Sequence, residues 1–405
     1  PTPPTPNPQT AADYRQLEDR FGARNYHPLD VVLARGQDVW VWDVEGNRYL
    51  DCLAAYSAVN QGHSHPAIVA ALAEQAAKLA ITGRAFRNDQ LPLLYQTLHD
   101  LTGYTQFLLM NSGAEAVETA VKAARKWGYQ MKGIPADRAR IVTAAGNFHG
   151  RTTTVVSFST EHQYRDGFGP LTPGFDTVPF GDLVALEAAF TPDTAAFLVE
   201  PIQAEGGILM PPEGYLRQAA ELCHKHNVLF MVDEIQTGWG RTGKLFAWEY
   251  DGARPDVVLV GKALSGGLYP VSAVLSTPEV LGVFQPGDHG STFGGNPLAC
   301  AVARAALQVL TDEHLVQKSL ENGEYFRTQL RALNSPRVAE VRGRGLLVGV
   351  ELTVNARPVA EALMRRGVLV KDTHGTVLRL TPPLTIARAE LDLVVRELGA
   401  VLGGM

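Results

Sequence analysis

Two polar residues stand directly behind apolar runs in the middle of the chain. The run VLFMV, residues 228–232, ends in Asp233-Glu234, and the run DVVLV ends in Gly261-Lys262. A carboxylate at the end of a buried strand is costly without a cationic partner. A lysine held one glycine behind such a run, and followed by Gly266-Gly267, suits an amine poised over a ligand. Each has a plainer reading, Asp233 as a cap before a turn and Lys262 as a solvated loop lysine. Taken together they meet a specific need. Pyridoxal 5′-phosphate requires an amine for its aldehyde and an acid for its pyridinium nitrogen. Asp233 keeps that nitrogen protonated in this reading, and Lys262 then shuttles the substrate proton as general base and acid.

Three further segments would complete such a site. In MNSGAEAVETAVKAARK, Ser112 and Glu115 have capping-box spacing, and the helix they open offers free backbone N–H groups to a phosphate. Many helices begin this way. In GNFHGRT, Phe148 could stack on a flat ring and Arg151 could grip a carboxylate in bidentate fashion. In isolation they read as a core Phe and a surface Arg. HGSTFGGNP, residues 289–297, has the glycines and hydroxyls of a phosphate contact, or simply of a tight loop.

The elements needed to position these residues are legible around them. KLAITGR, FLLMNS, RIVTAAGN, AAFLVEPI, VLFMVDE and DVVLVGK contain strand-length apolar runs, and amphipathic helical patterns such as EGYLRQAAELCHKH lie between them. This alternation predicts an α/β fold, a mostly parallel sheet flanked by helices, with ligands beyond the carboxyl ends of the strands. VWVWDVEGNRYLD, residues 39–51, reads as an antiparallel hairpin around a Glu-Gly turn. VRGRGLLVGVEL and VLVKDTHGTVLRLTPPL, near the other end, suggest a smaller α+β domain. The expected division is a flexible leader and N-terminal segment over 1–66, a large cofactor domain over 67–312 and a C-terminal small domain over 313–405.

Bulk properties exclude several classes. With 405 residues, 45% hydrophobic and 19% charged, the chain can bury a large core. A net charge of −6 gives no electrostatic reason to bind nucleic acid or anionic membrane. Three scattered cysteines argue against a disulfide framework and for a reducing, cytoplasmic setting. The Pro/Thr-rich start, PTPPTPNPQTAADYRQ, lacks the apolar core of a signal peptide and reads as a flexible leader. His63 and His65 in GHSHP lack further ligands at suitable spacing for a metal, and Pro66 reads as the first residue of a helix. Glu200-Pro201 reads as the structural end of a strand.

Over nearly its full length after the leader, the chain resembles the class-III aminotransferases of fold-type-I PLP enzymes. VDEIQTGWGRTGKLFAWE and PDVVLVGKALSGGLYPVSAV carry most of the likeness. The resemblance implies that Lys262 is the Schiff-base lysine and Asp233 the pyridinium partner. It implies that Gln236 bonds the phenolic oxygen, Phe148 stacks on the ring, and Gly113 and Ala114 supply backbone phosphate contacts. Thr292 matches the phosphate ligand that each chain donates to the other's site, which implies an obligate homodimer.

Within the class, NYHPLDVVLARG, AAYSAVNQGHSHP, ARKWGYQMKGI and YRDGFGPLTPGF resemble the branch that uses ornithine. Tyr26 and Tyr56 match that branch's substrate-pocket tyrosines, while His149 stands where its animal members carry Trp. The reaction this implies moves the δ-amino group of L-ornithine to 2-oxoglutarate, giving glutamate 5-semialdehyde and glutamate. The alternative is acetylornithine or another ω-amine as donor. An aminomutase or racemase, and a non-catalytic PLP-binding protein, are more distant rivals. Two unlike substrates need a switch. Arg151, with Tyr26 for ornithine, is expected to serve the distal carboxylates. Arg379 is expected to take the proximal carboxylate that only the oxo acid carries, with Glu205 masking it until then.

Overall fold

The computed structural model describes residues 10–404. Its centre is a seven-stranded sheet in the order Gln106–Met110, Ser272–Ser276, Val257–Val260, Leu229–Asp233, Thr194–Val199, Arg140–Ala144, Phe175–Val178. All neighbours are parallel except Ser272–Ser276, which runs against both of its partners. Every residue of Thr194–Val199, Leu229–Asp233 and Val257–Val260 is buried, as the unbroken apolar runs require of strands covered on both faces.

Alternate side chains serve opposite layers. Ala196, Leu198, Leu229 and Met231 pack with the helix Gly113–Trp127. Phe197, Val199, Phe230 and Val232 pack with the helix Tyr215–Lys225. Asp233 closes its strand, and Glu200 and Gly261-Lys262 follow directly on theirs, so the chemistry-bearing residues gather at one end of the sheet.

Two smaller four-stranded sheets accompany the central one. Leu33–Gln37, Trp40–Asp43 and Arg48–Asp51 form antiparallel neighbours, and Val368–Leu369 joins them alongside Arg48–Asp51, so segments from both ends of the chain share one sheet. Val338–Arg344, Leu347–Leu352, Val377–Leu380 and Lys371–Thr373 make an antiparallel sheet that presents Arg379. GRGLLVG lies in the hairpin of this sheet.

Two expectations require correction. KLAITGR is not a strand: Lys78 ends the helix Pro66–Lys78, and Ala80–Arg84 is irregular connection. The leader is in part ordered, because Thr10 and Asp13 form a capping box that opens the helix Ala11–Phe21. The rest of the leader, residues 1–9, lies outside the described residues. Cys52, Cys223 and Cys300 are buried and unpaired. Among the described residues no helix is long and apolar enough to cross a membrane.

Candidate active site

A cavity of about 200 Å³ opens where the strands end, lined by Gly113, Ala114, Phe148, Asp233, Gln236 and Lys262. His149, Gly150, Glu200, Ile235 and Thr237 complete its wall. One end is the start of the helix Gly113–Trp127. The Ser112 hydroxyl accepts from Glu115 N, and the Glu115 carboxylate accepts from Ser112 N at 2.7 Å. The first intrahelical bond begins only at Ala116, so Gly113 and Ala114 keep N–H groups for an anion.

Asp233 is 4% exposed and held from two sides. Its Oδ1 accepts from Ile235 N at 3.0 Å, and its Oδ2 lies 2.7 Å from His149 Nδ1. Burial works against charge on His149, yet the hydrogen bond and field of Asp233 raise its pKa above the ordinary value. The short contact to His149 therefore fixes the Asp233 carboxylate in place, as a partner for a pyridinium nitrogen requires. Behind them Glu200 is buried, accepts from Phe148 N at 2.9 Å, and is pushed up to about 8 by desolvation. It ends its strand, as the sequence suggests, and also lines the cavity.

Lys262 sits at a positive φ of 43°, a conformation rare for a residue with a side chain, and this backbone turn carries its side chain into the cavity wall. Burial brings its ammonium down to about 8, helped by Arg379 and opposed by Glu205 and Asp233. A lowered lysine loses its proton as pH rises through that value, so the free amine is a minor but far larger fraction near neutrality than for an ordinary lysine. Capture of added pyridoxal phosphate by cofactor-free protein is expected to rise with pH and level off above about 8. A rate still climbing towards the ordinary lysine range in stopped-flow absorbance would contradict this.

The outer part of the site holds the charged switch. Arg379, 1% exposed, donates through Nη2 to Gln236 Oε1 at 2.6 Å and meets Glu205 Oε1 through Nη1 at 2.8 Å. Gln236 Nε2 in turn donates to Glu205 Oε1 at 3.3 Å. Desolvation works to raise the Glu205 carboxyl, but Arg379 and Lys262 outweigh it and hold it below its usual value. The Arg379 guanidinium lies 5.4 Å from the Tyr56 ring centre. Burial raises the Tyr56 hydroxyl pKa, Glu205 adds to that and Arg379 opposes it, with Tyr26 and Arg151 close enough to act as well.

Tyr56 is carried by an unusual backbone. Ala54, Ala55, Tyr56 and Ser57 all have positive φ, from 46° to 69°, making a left-handed turn without glycine. Each such residue costs about 1–2 kcal/mol, so surrounding bonds must hold the turn in place.

Of the sequence candidates, Tyr26, Tyr56, Arg151, Glu205, Thr292 and Arg379 do not line this cavity. Thr292 is exposed on its loop and does not line it. Tyr26 is 74% exposed. Arg151 packs its guanidinium 4.0 Å from the Tyr164 ring centre and 5.8 Å from that of Phe148. Tyr164 was given no role by the sequence, Glu200 entered only as a strand end, and His149 only as a departure. Tyr164 lies in the four-residue helix His162–Arg165, too short to carry a periodic signal. His149, between Phe148 and Gly150, had a signal in its loop but no visible partner, since Asp233 is distant in sequence.

The family model described as Aminotransferase class-III matches residues 21–402, and the chain belongs to that family. A protein of Bordetella pertussis named ornithine aminotransferase is 59% identical over 399 residues, covering 98% of this chain and 97% of that one. The Bacillus subtilis protein of the same name is 56% identical over 382 residues, 94% and 95% of the two chains. The solved ornithine aminotransferase of Toxoplasma gondii, described with partial occupancy of PLP at its active site, superposes with a TM-score of 0.96 at 45% identity, covering 98% and 95%. An acetylornithine aminotransferase from Elizabethkingia anophelis superposes with a TM-score of 0.90 at 47% identity, covering 98% and 100%.

Proposed function

We propose that this aminotransferase binds pyridoxal 5′-phosphate and transfers the δ-amino group of L-ornithine to 2-oxoglutarate, yielding glutamate 5-semialdehyde, which cyclises to pyrroline-5-carboxylate, and glutamate. The observation that carries the reading is the Arg379–Glu205 pair at 2.8 Å beside Tyr56, within a site whose inner end offers an anion-binding helix start, a fixed acid and a lowered amine. High identity to proteins named ornithine aminotransferase supports the choice of donor.

The cofactor, when bound, supplies the electron sink for cleavage of a C–H bond beside the transferred nitrogen. In this reading Gly113 and Ala114 hold its phosphate, Phe148 covers its ring, Asp233 faces its ring nitrogen and Gln236 its phenolic oxygen. Lys262 would hold it through Nζ and, once freed by the donor amine, would take and return the proton at the donor's reacting carbon.

Arg151 and Tyr26 receive the carboxylate of ornithine. Glu205 meanwhile keeps Arg379 paired, because an unpaired buried guanidinium costs several kcal/mol. The proximal carboxylate of 2-oxoglutarate replaces Glu205 in the second half-reaction. Glu205→Gln removes that mask. Its expected effect is about a tenfold rise in turnover of α-amino donors such as glutamate relative to ornithine, roughly 1.4 kcal/mol of discrimination. Paired kcat/KM measurements check it, and an unchanged ratio counts against the switch.

The reading includes a homodimer in which Thr292, exposed on its loop, reaches the phosphate of the other chain's site. Sedimentation equilibrium of the holoenzyme tests this. The second reading, N-acetylornithine as donor, draws on the likeness to the Elizabethkingia enzyme. Comparing kcat/KM for ornithine and N-acetylornithine with 2-oxoglutarate decides between them. Preference for ornithine is expected, and faster turnover of the acetylated donor would overturn it.

A further inference from the structure

The left-handed turn Ala54–Ser57 is held on its entry side by one carboxylate. Asp51 Oδ1 accepts from Leu53 N at 2.8 Å and from Ala54 N at 3.0 Å. Its other oxygen, Oδ2, lies 2.7 Å from His63 Nε2. Asp51 is 7% exposed, so its geometry is set by these partners rather than by water. His63 is itself fixed by a two-way backbone bridge to Asp38, with His63 N donating at 2.7 Å and Asp38 N at 2.9 Å. On the same entry side, Thr381 N donates to Cys52 O at 2.7 Å and Thr381 Oγ1 to Leu53 O at 2.9 Å. Thr381 lies two residues past Arg379, so the turn that carries Tyr56 is tied directly to the strand that carries the guanidinium.

We propose that His63 is a positioning residue for donor recognition, acting through Asp51 to aim Tyr56. The pair gives the GHSHP segment a role that its histidines do not reveal by spacing. His63 is not among the residues that line the active-site cavity. It orients the carboxylate whose second oxygen caps two N–H groups of a turn that the backbone would not adopt unaided. Arg379 does not depend on it, being held by Glu205, Gln236 and its own sheet. Loss of the pair therefore falls on the donor. The inference rests on the reading of Tyr56 as a donor contact.

The test uses holoenzyme and measures kcat and KM for both substrates in His63→Ala, His63→Gln and Tyr56→Ala, with thermal melting and cofactor absorbance for each. His63→Ala is expected to raise the ornithine KM about tenfold, the loss of one charge-assisted hydrogen bond. The 2-oxoglutarate KM and kcat are expected to move by less than about twofold, a small fraction of that loss. His63→Gln places an amide nitrogen where Nε2 stood and is expected to restore the ornithine KM to within about twofold. An unchanged ornithine KM, an equal rise for both substrates, or no rescue by Gln overturns the proposal. If Tyr56→Ala raises the ornithine KM and His63→Ala does not, only the positioning role falls. If Tyr56→Ala leaves it unchanged, the reading of Tyr56 falls and the proposal with it. Should His63→Ala not fold, Asp51→Asn serves: it keeps the Oδ1 acceptor and weakens the bond to His63, and a smaller rise for ornithine alone is expected. No rise there overturns the proposal.

Discussion

Lys262→Ala is expected to lower kcat for ornithine transamination by at least about 10⁴-fold, since it removes both the covalent anchor and the proton shuttle in one step. No neighbour replaces it. Lys262 is the lysine among the residues lining the cavity, and Glu205 is engaged by Arg379. The protein is expected to fold as before, because the positive φ at Lys262 is tolerated no worse by Ala and the surrounding Ala263, Leu264 and Ser265 remain buried. Bound cofactor should then lack the absorbance of a lysine adduct while still binding through its phosphate. Steady-state assays and absorbance spectra of the purified variant check both halves. Retention of more than a hundredth of the activity would place the reactive amine elsewhere.

Asp233→Ala carries the second largest effect. Without a carboxylate against the ring nitrogen, proton abstraction loses its electron sink, and kcat is expected to fall by about 10²–10⁴-fold. The variant also leaves His149 buried against an apolar side chain. The histidine then loses the hydrogen bond and field of Asp233 that raise its pKa against burial. The loss should therefore appear mainly in kcat, with ornithine KM changed far less, because Asp233 lies on the inner wall away from the Arg379–Tyr56 end. Single-turnover absorbance with ornithine alone measures the slow step directly. A kcat within about tenfold of the parent enzyme would fall outside that range and remove Asp233 from the chemistry.

Much of this was legible in the chain because it follows from strand chemistry. Unbroken apolar runs forced buried strands, and Asp233 and Lys262 were conspicuous because polar residues rarely follow such runs so closely. The helix start at Gly113 was readable from the Ser112–Glu115 spacing, and the structure forms that box. What escaped notice depends on contacts between distant segments. His149 meets Asp233 across 84 positions, and neither residue names the other. Glu200 looked like a strand terminus and is one, but its burial and its bond to Phe148 come only from packing. KLAITGR misled because a short apolar run is compatible with the tail of a helix as well as with a strand. The left-handed turn at Tyr56 had no glycine to announce it, and the bonds that stabilise it come from Asp51 and Thr381.

The most direct test of the reaction is a half-reaction. Ornithine is added to holoenzyme without any oxo acid, and the absorbance of the bound cofactor is followed together with the product. Stoichiometric bleaching of the lysine-adduct band, with one pyrroline-5-carboxylate formed per site, is the expected result, and added 2-oxoglutarate should restore the band. An unchanged spectrum with ornithine, or full bleaching with N-acetylornithine but not with ornithine, would contradict the assignment.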